Sequence, residues 1–91
     1  MATTVCKRVV YRGRVQGVGF RWTARGLAGG YAVAGHVRNL PTGEVELVAE
    51  GAPEQVDAFL AAVTERMADN IAATTVHDAP PTGAAGFHIR G

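Results

Sequence analysis

Ninety-one residues, 47% hydrophobic and 19% charged, can fill one small core and leave no room for a second domain. A single cysteine, Cys6, excludes an internal disulfide, and no apolar run is long enough to span a bilayer. The net charge of +1 is uninformative by itself, and Met1-Ala2-Thr3-Thr4 lacks the apolar stretch of a secretion signal, so one soluble, cytoplasmic domain over residues 1–91 is expected.

Val5 to Gly13 reads as a first strand. Val5, Val9 and Tyr11 alternate onto one face, with Lys7 interrupting; Cys6, Arg8, Val10 and Arg12 take the other. No neighbour in sequence would activate Cys6, which is read as a passive strand residue. Arg21 to Tyr31 reads as a helix, with Phe20, Ala24, Leu27, Ala28 and Tyr31 on one face. Gly26 weakens it and Gly29-Gly30 frays its end.

Val33 to Leu40 reads as a second strand and Glu44 to Glu50 as a third, joined by the turn Pro41-Thr42-Gly43 into a hairpin. Val45, Leu47 and Ala49 alternate with Glu44, Glu46, Val48 and Glu50, which fits a sheet with one wet face. Pro53 opens a second helix, with Glu54 and Asp57 at its positive end. Val56, Phe59, Leu60, Val63 and Met67 give it the clearest helical period in the chain, and it is expected to end near Asp69-Asn70. Ala72 to His77 reads as a weaker strand, Pro80-Pro81-Thr82-Gly83 as a loop and Phe87 to Arg90 as a short last strand. The order βαββαβ with a short extra C-terminal strand predicts an α+β ferredoxin-like sandwich, an antiparallel sheet covered on one face by two helices.

Charge is unevenly spread. Lys7, Arg8, Arg12, Arg14, Arg21, Arg25 and Arg38 precede the first acid, and all eight acids follow from Glu44 onward with only Arg66 and Arg90 beside them. The cationic half suits an anionic ligand, unless the fold interleaves the two halves and neutralises it. Within that half lies Val15-Gln16-Gly17-Val18-Gly19-Phe20-Arg21, between a strand and a helix. Backbone N–H groups that the helix cannot satisfy, its dipole, and the planar fork of Arg21 together suit an anion. Alone, the pattern is equally compatible with a tight turn. It is neither a dinucleotide fingerprint, since Trp22 stands where the last glycine would be, nor a P-loop, since no Lys-Ser or Lys-Thr follows. Asn39 could orient a water with its neutral amide, or could simply start the hairpin turn. No carboxylate pair, Ser–His–Asp set or C-x-x-C can be assembled near the loop, and His36, His77 and His88 show no metal-ligand spacing.

The loop, followed by Gly35-His36-Val37-Arg38-Asn39, Gly43-Glu44-Val45-Glu46 and the closing Phe87-His88-Ile89-Arg90, closely resembles the acylphosphatase family over nearly the whole chain. The resemblance implies the same sandwich fold and hydrolysis of small acyl phosphates to a carboxylate and inorganic phosphate, with no metal and no cofactor. Arg21 and Asn39 match the family's catalytic arginine and asparagine, and Val15, Gln16, Gly17, Val18, Gly19, Phe20 and Arg21 its phosphate-binding loop. Two positions depart. Ala32 stands where the family usually ends the helix with a left-handed glycine, so either Gly30 takes over that cap or Ala32 is strained by about 1 kcal/mol. His36 stands where tryptophan is common, a change expected to affect packing more than chemistry.

An acyl phosphate tolerates so sparse a site, because its carboxylate leaves without a general acid and the reaction needs chiefly positioning and charge stabilisation. The expected partners are therefore a small acyl phosphate and inorganic phosphate or a similar anion, bound by a monomer without nucleic acid or membrane. One rival is a relative of the acylphosphatase-like domain of hydrogenase-maturation carbamoyltransferases, acting on carbamoyl phosphate. Others are a sensor that binds phosphate without turnover and a non-catalytic RNA-binding module. The six aromatic residues Tyr11, Phe20, Trp22, Tyr31, Phe59 and Phe87 do not form the pattern of an RNA-recognition sheet.

Overall fold

The computed structural model describes residues 3–91. Its elements are β1 (Val5–Gly13), α1 (Phe20–Ala28), β2 (Val33–Asn39), β3 (Val45–Gly51), α2 (Pro53–Arg66), β4 (Ile71–Ala79) and β5 (Phe87–Arg90). They build one sheet in the order β4-β1-β3-β2-β5. The pairs β1–β3, β1–β4 and β2–β3 are antiparallel, whereas β5 runs parallel to β2 and makes the sheet mixed. No helix among the described residues is long and apolar enough to cross a membrane.

Register explains the core. Val9, Leu47 and Val37 lie in one row across β1, β3 and β2, and all three are buried. Against them α2 sets Val56, Phe59 and Val63, and α1 sets Phe20, Ala24 and Ala28. Each large apolar side chain removed from water contributes about 1.5–3 kcal/mol. Phe87 meets Phe59 edge-on at 5.3 Å, which fastens the short parallel strand to α2.

Helix α1 stops at Ala28, before the expected Tyr31. The N–H groups of Gly29, Gly30 and Tyr31 turn to the carbonyls of Gly26, Leu27 and Ala28, a tightened 3₁₀-type exit. Neither alternative for the cap holds. Among the described residues no non-glycine has positive φ, Gly30 is not left-handed, and the Ala32 N–H donates to Gln55 Oε1 of α2 at 2.9 Å. Helix α2 likewise ends at Arg66, because Asn70 and Ile71 donate back to the Met67 carbonyl and close a turn. Strand β4 is longer than its sequence announces, since pairing with β1 carries it to Ala79 opposite Cys6.

The face of the sheet away from the helices is not uniformly wet. Glu46 and Glu50 point there from the central strand, 4% and 5% exposed. Arg8 Nε and Arg38 Nε donate to the two oxygens of Glu46 at 2.6 and 2.8 Å. Burial pushes that carboxyl upward, but the hydrogen bonds and charges of Arg38 and Arg8 outweigh it and leave its pKa at about 2. Glu50 accepts the N–H groups of Thr82 and Gly83 and the Thr82 hydroxyl, so the Pro80–Gly83 loop is strapped over the sheet. Cys6, opposite Glu50, is buried; burial and then the Glu50 charge push its thiol up, in keeping with a passive role.

Candidate active site

The loop between β1 and α1 is held at both ends. At its start, the Arg14 N–H donates to the Asn70 carbonyl at 2.9 Å, and Val15 is fully buried. At its end, Phe20 is buried and packs on Tyr11 with ring centroids 4.8 Å apart. The side chains of Val15 and Phe20 therefore face the core, and only their backbone is available to a ligand. Between them the chain is exposed at Gln16, Gly17, Val18 and Gly19. Gly17 and Gly19 have φ of 75° and 79°, in the left-handed region that residues with a Cβ enter only at a cost. Nothing lies within 4 Å of where a Cβ would stand at either, so conformation, not crowding, requires glycine.

Gly19 caps α1 without a side-chain hydrogen bond, and the first turn of the helix holds no acid. The helical ladder begins where the Thr23 N–H donates to the Gly19 carbonyl. The N–H groups just before it have no helical acceptor, and the dipole adds partial positive charge there. Such exposed, unpaired N–H groups at a helix start suit an anion.

Two tethers bring this loop to the end of β2. Gln16 Nε2 donates to the carbonyls of Leu40 and Glu44 at 2.8 and 2.9 Å, joining the loop to the β2–β3 turn. Arg21 Nη1 donates to the Gly91 oxygen at 3.4 Å, just beyond Arg90, which pairs with Arg38. Asn39 sits between Arg38 and Leu40, opposite Val45 and on the helix face of the sheet. The β2–β3 turn is closed by backbone bonds from Leu40 to Glu44 and from Gly43 to Leu40. The structure therefore gathers Gln16, Gly17, Gly19, Arg21 and Asn39 at one end of the sheet.

The fold interleaves the two charge halves only in part. Lys7 pairs with Asp78, Arg12 with Glu44, and Arg8 and Arg38 with Glu46. Among the described residues, Arg14, Arg21, Arg25, Arg66 and Arg90 pair with no Asp or Glu, and the first three flank the loop or lie on α1.

Sequence reasoning missed four features of the structure. Gln16 is a clamp, a role that depends on carbonyls 24 and 28 residues away. Trp22 is 69% exposed beside Arg21; its place off the apolar helical face was the available signal. The buried Tyr11 hydroxyl has no hydrogen-bond partner among the described residues, and burial raises its pKa. His36 and His88 prove to be neighbours across the parallel β2–β5 pair, and His36 Nε2 lies 3.5 Å from Glu46 Oε1. No group of three or more His, Cys, Asp or Glu that could hold a metal ion is found among the described residues.

Comparison with known proteins agrees with this architecture. The acylphosphatase family profile matches residues 7–89. A protein named acylphosphatase from Synechococcus sp. (strain JA-2-3B'a(2-13)) is 41% identical over 91 residues, covering 99% of this chain and 97% of that relative. One of the same name from Acaryochloris marina (strain MBIC 11017) is 45% identical over 60 residues, so the aligned chain spans 66% of its own length and 64% of that relative's. The crystal structure of acylphosphatase from Bacillus subtilis superposes with a TM-score of 0.84 at 30% identity, covering 96% of this chain and 99% of that one. With a family match across almost all its residues and the family's fold beneath its glycine loop, the chain belongs to the acylphosphatase family.

Proposed function

We propose that the chain hydrolyses the carboxyl–phosphate bond of small acyl phosphates, releasing a carboxylate and inorganic phosphate. The observation that carries this reading is the left-handed glycine loop opening onto the uncapped N-terminus of α1, tethered to the strand end that bears Asn39. Backbone N–H groups of Val15, Gln16, Gly17, Val18, Gly19 and Phe20, with the guanidinium of Arg21, hold the phosphoryl oxygens. Asn39 accepts a hydrogen bond from the attacking water and keeps it in line with the leaving oxygen. The water oxygen bonds to phosphorus, the bond from phosphorus to the acyl oxygen breaks, and the carboxylate departs with the electron pair. The proton of the water passes to a phosphoryl oxygen of the substrate, so no protein base is required.

The same reading takes the protein as a cytoplasmic monomer formed from one domain over residues 1–91, working without a cofactor. It assigns no role to nucleic acid. In support, Arg8 and Arg38 on the open face are taken up by Glu46, and no Phe, Tyr or Trp stands on that face.

Hydrolysis of benzoyl phosphate, followed by ultraviolet absorbance, tests the reading. Arg21→Ala is expected to lower kcat/KM by about 10²–10³-fold through both binding and rate. Asn39→Ala is expected to act mainly on kcat. Wild-type turnover that survives Arg21→Ala within twofold overturns the assigned roles, and phosphate binding without any turnover makes the loop a receptor.

A further inference from the structure

Arg21 stands in the first turn of α1, directly after the glycine loop, and borders a cavity of about 390 Å³ lined also by Trp22, Arg25, His88 and Ile89. Trp22 is 69% exposed although it is the only tryptophan of the chain, and no packing requirement explains its size there. The Arg25 guanidinium carbon lies 5.8 Å from the Trp22 ring centroid, which holds that charge beside the ring. Arg25 has no carboxylate partner among the described residues, and α1 (FRWTARGLA) contains no acid at all. An aromatic wall, an apolar side from Ile89 and an unneutralised cation therefore adjoin the arginine proposed to grip phosphate.

We propose that this cavity receives the acyl part of the substrate and selects acyl phosphates whose acyl group is aromatic and carries a second negative charge. The inference rests on the function proposed above and extends it to substrate class. Because Arg21 follows the loop directly and also lines the cavity, a phosphoryl group held on the loop leaves its acyl group in reach of the cavity. A planar acyl group stacks on Trp22, displacing water from an exposed indole. A carboxylate at its far end pairs with Arg25. A small acyl group such as acetyl reaches neither. Trp22 and Arg25 are thus specificity-determining residues, while Arg21 serves the phosphate.

The test compares kcat/KM for acetyl phosphate, benzoyl phosphate and 4-carboxybenzoyl phosphate, read as phosphate release, in the wild type, Trp22→Ala, Trp22→Phe and Arg25→Gln. The wild type is expected to prefer 4-carboxybenzoyl over benzoyl over acetyl phosphate. Trp22→Ala should lower the benzoyl-to-acetyl ratio by about fivefold and Trp22→Phe should restore most of it. Arg25→Gln should lower the carboxybenzoyl-to-benzoyl ratio several-fold, more at low salt. Ratios that stay within twofold of the wild type in both Trp22→Ala and Arg25→Gln overturn the proposal. Should no acyl phosphate be turned over, the function itself fails, and the fluorescence of the sole tryptophan then judges the cavity. Saturable quenching by benzoylphosphonate but not by acetylphosphonate upholds it, and equal or absent quenching overturns it.

Discussion

The two places where charge is concentrated in this protein are treated in opposite ways. On the open face of the sheet, Glu46 is gripped by Arg8 and Arg38, and Glu50 by Thr82 and Gly83. Around the loop and along α1, Arg14, Arg21 and Arg25 have no Asp or Glu partner among the described residues, and α1 begins without a side-chain cap. Both regions draw on the same cationic first half of the chain. Charges that find an internal partner hold strands in register, while Arg21, at the start of α1 and without an Asp or Glu partner among the described residues, stands where the proposed ligand would bind. The first region is built for stability, and the second is the one proposed to bind.

Removing the charge from the stable side tests that division most strongly. Glu46→Ala leaves Arg8 and Arg38 facing each other over the central strand and is expected to cost about 2–3 kcal/mol in urea unfolding. Activity per folded molecule should hold, since Glu46 lies on the face away from the loop. A loss under 0.5 kcal/mol would break the comparison. The same pair sets an acid limit. The Glu46 carboxyl is held at about 2, below its ordinary 4.5, so its contribution is present above pH 4.5 and fades as pH falls toward 2. Glu46→Gln should flatten that part of the stability profile.

On the binding side the expected costs to the fold are smaller. Gly19→Ala forces a Cβ into a left-handed position with φ of 79° and should cost about 1–2 kcal/mol, together with weaker binding of inorganic phosphate. An unchanged affinity for phosphate would separate loop conformation from anion binding. The smallest change concerns Tyr11, whose ring packs on Phe20 and whose buried hydroxyl has no partner among the described residues. Tyr11→Phe should stabilise the protein by about 1 kcal/mol, raising the melting temperature by roughly 4–8 °C. A drop in melting temperature would mean that the hydroxyl is satisfied after all.

The amphipathic periods were legible because they are local. Val56, Phe59, Val63 and Met67 recur at helical spacing, and Val45, Leu47 and Ala49 alternate, so each element declared its buried face from its own residues. The glycine loop was legible for the same reason: two left-handed positions and an arginine at a helix entrance are a matter of adjacent residues. Helix ends were misread, since the exit through Gly29 to Tyr31 and the turn after Arg66 are set by competing backbone bonds that periodicity does not register.

What the sequence determined by itself was therefore the elements, their order and the glycine loop that precedes α1. Tertiary structure alone decided which charges meet, because Arg8 and Glu46 are 38 residues apart and are joined only by sheet order and register. It likewise decided that β5 lies parallel beside β2, that His36 and His88 are neighbours, and that Asn39 stands between the tethers of Gln16 and Arg21. A side chain's partners depend on which strands lie side by side, and strand adjacency is fixed by burying all the apolar faces at once.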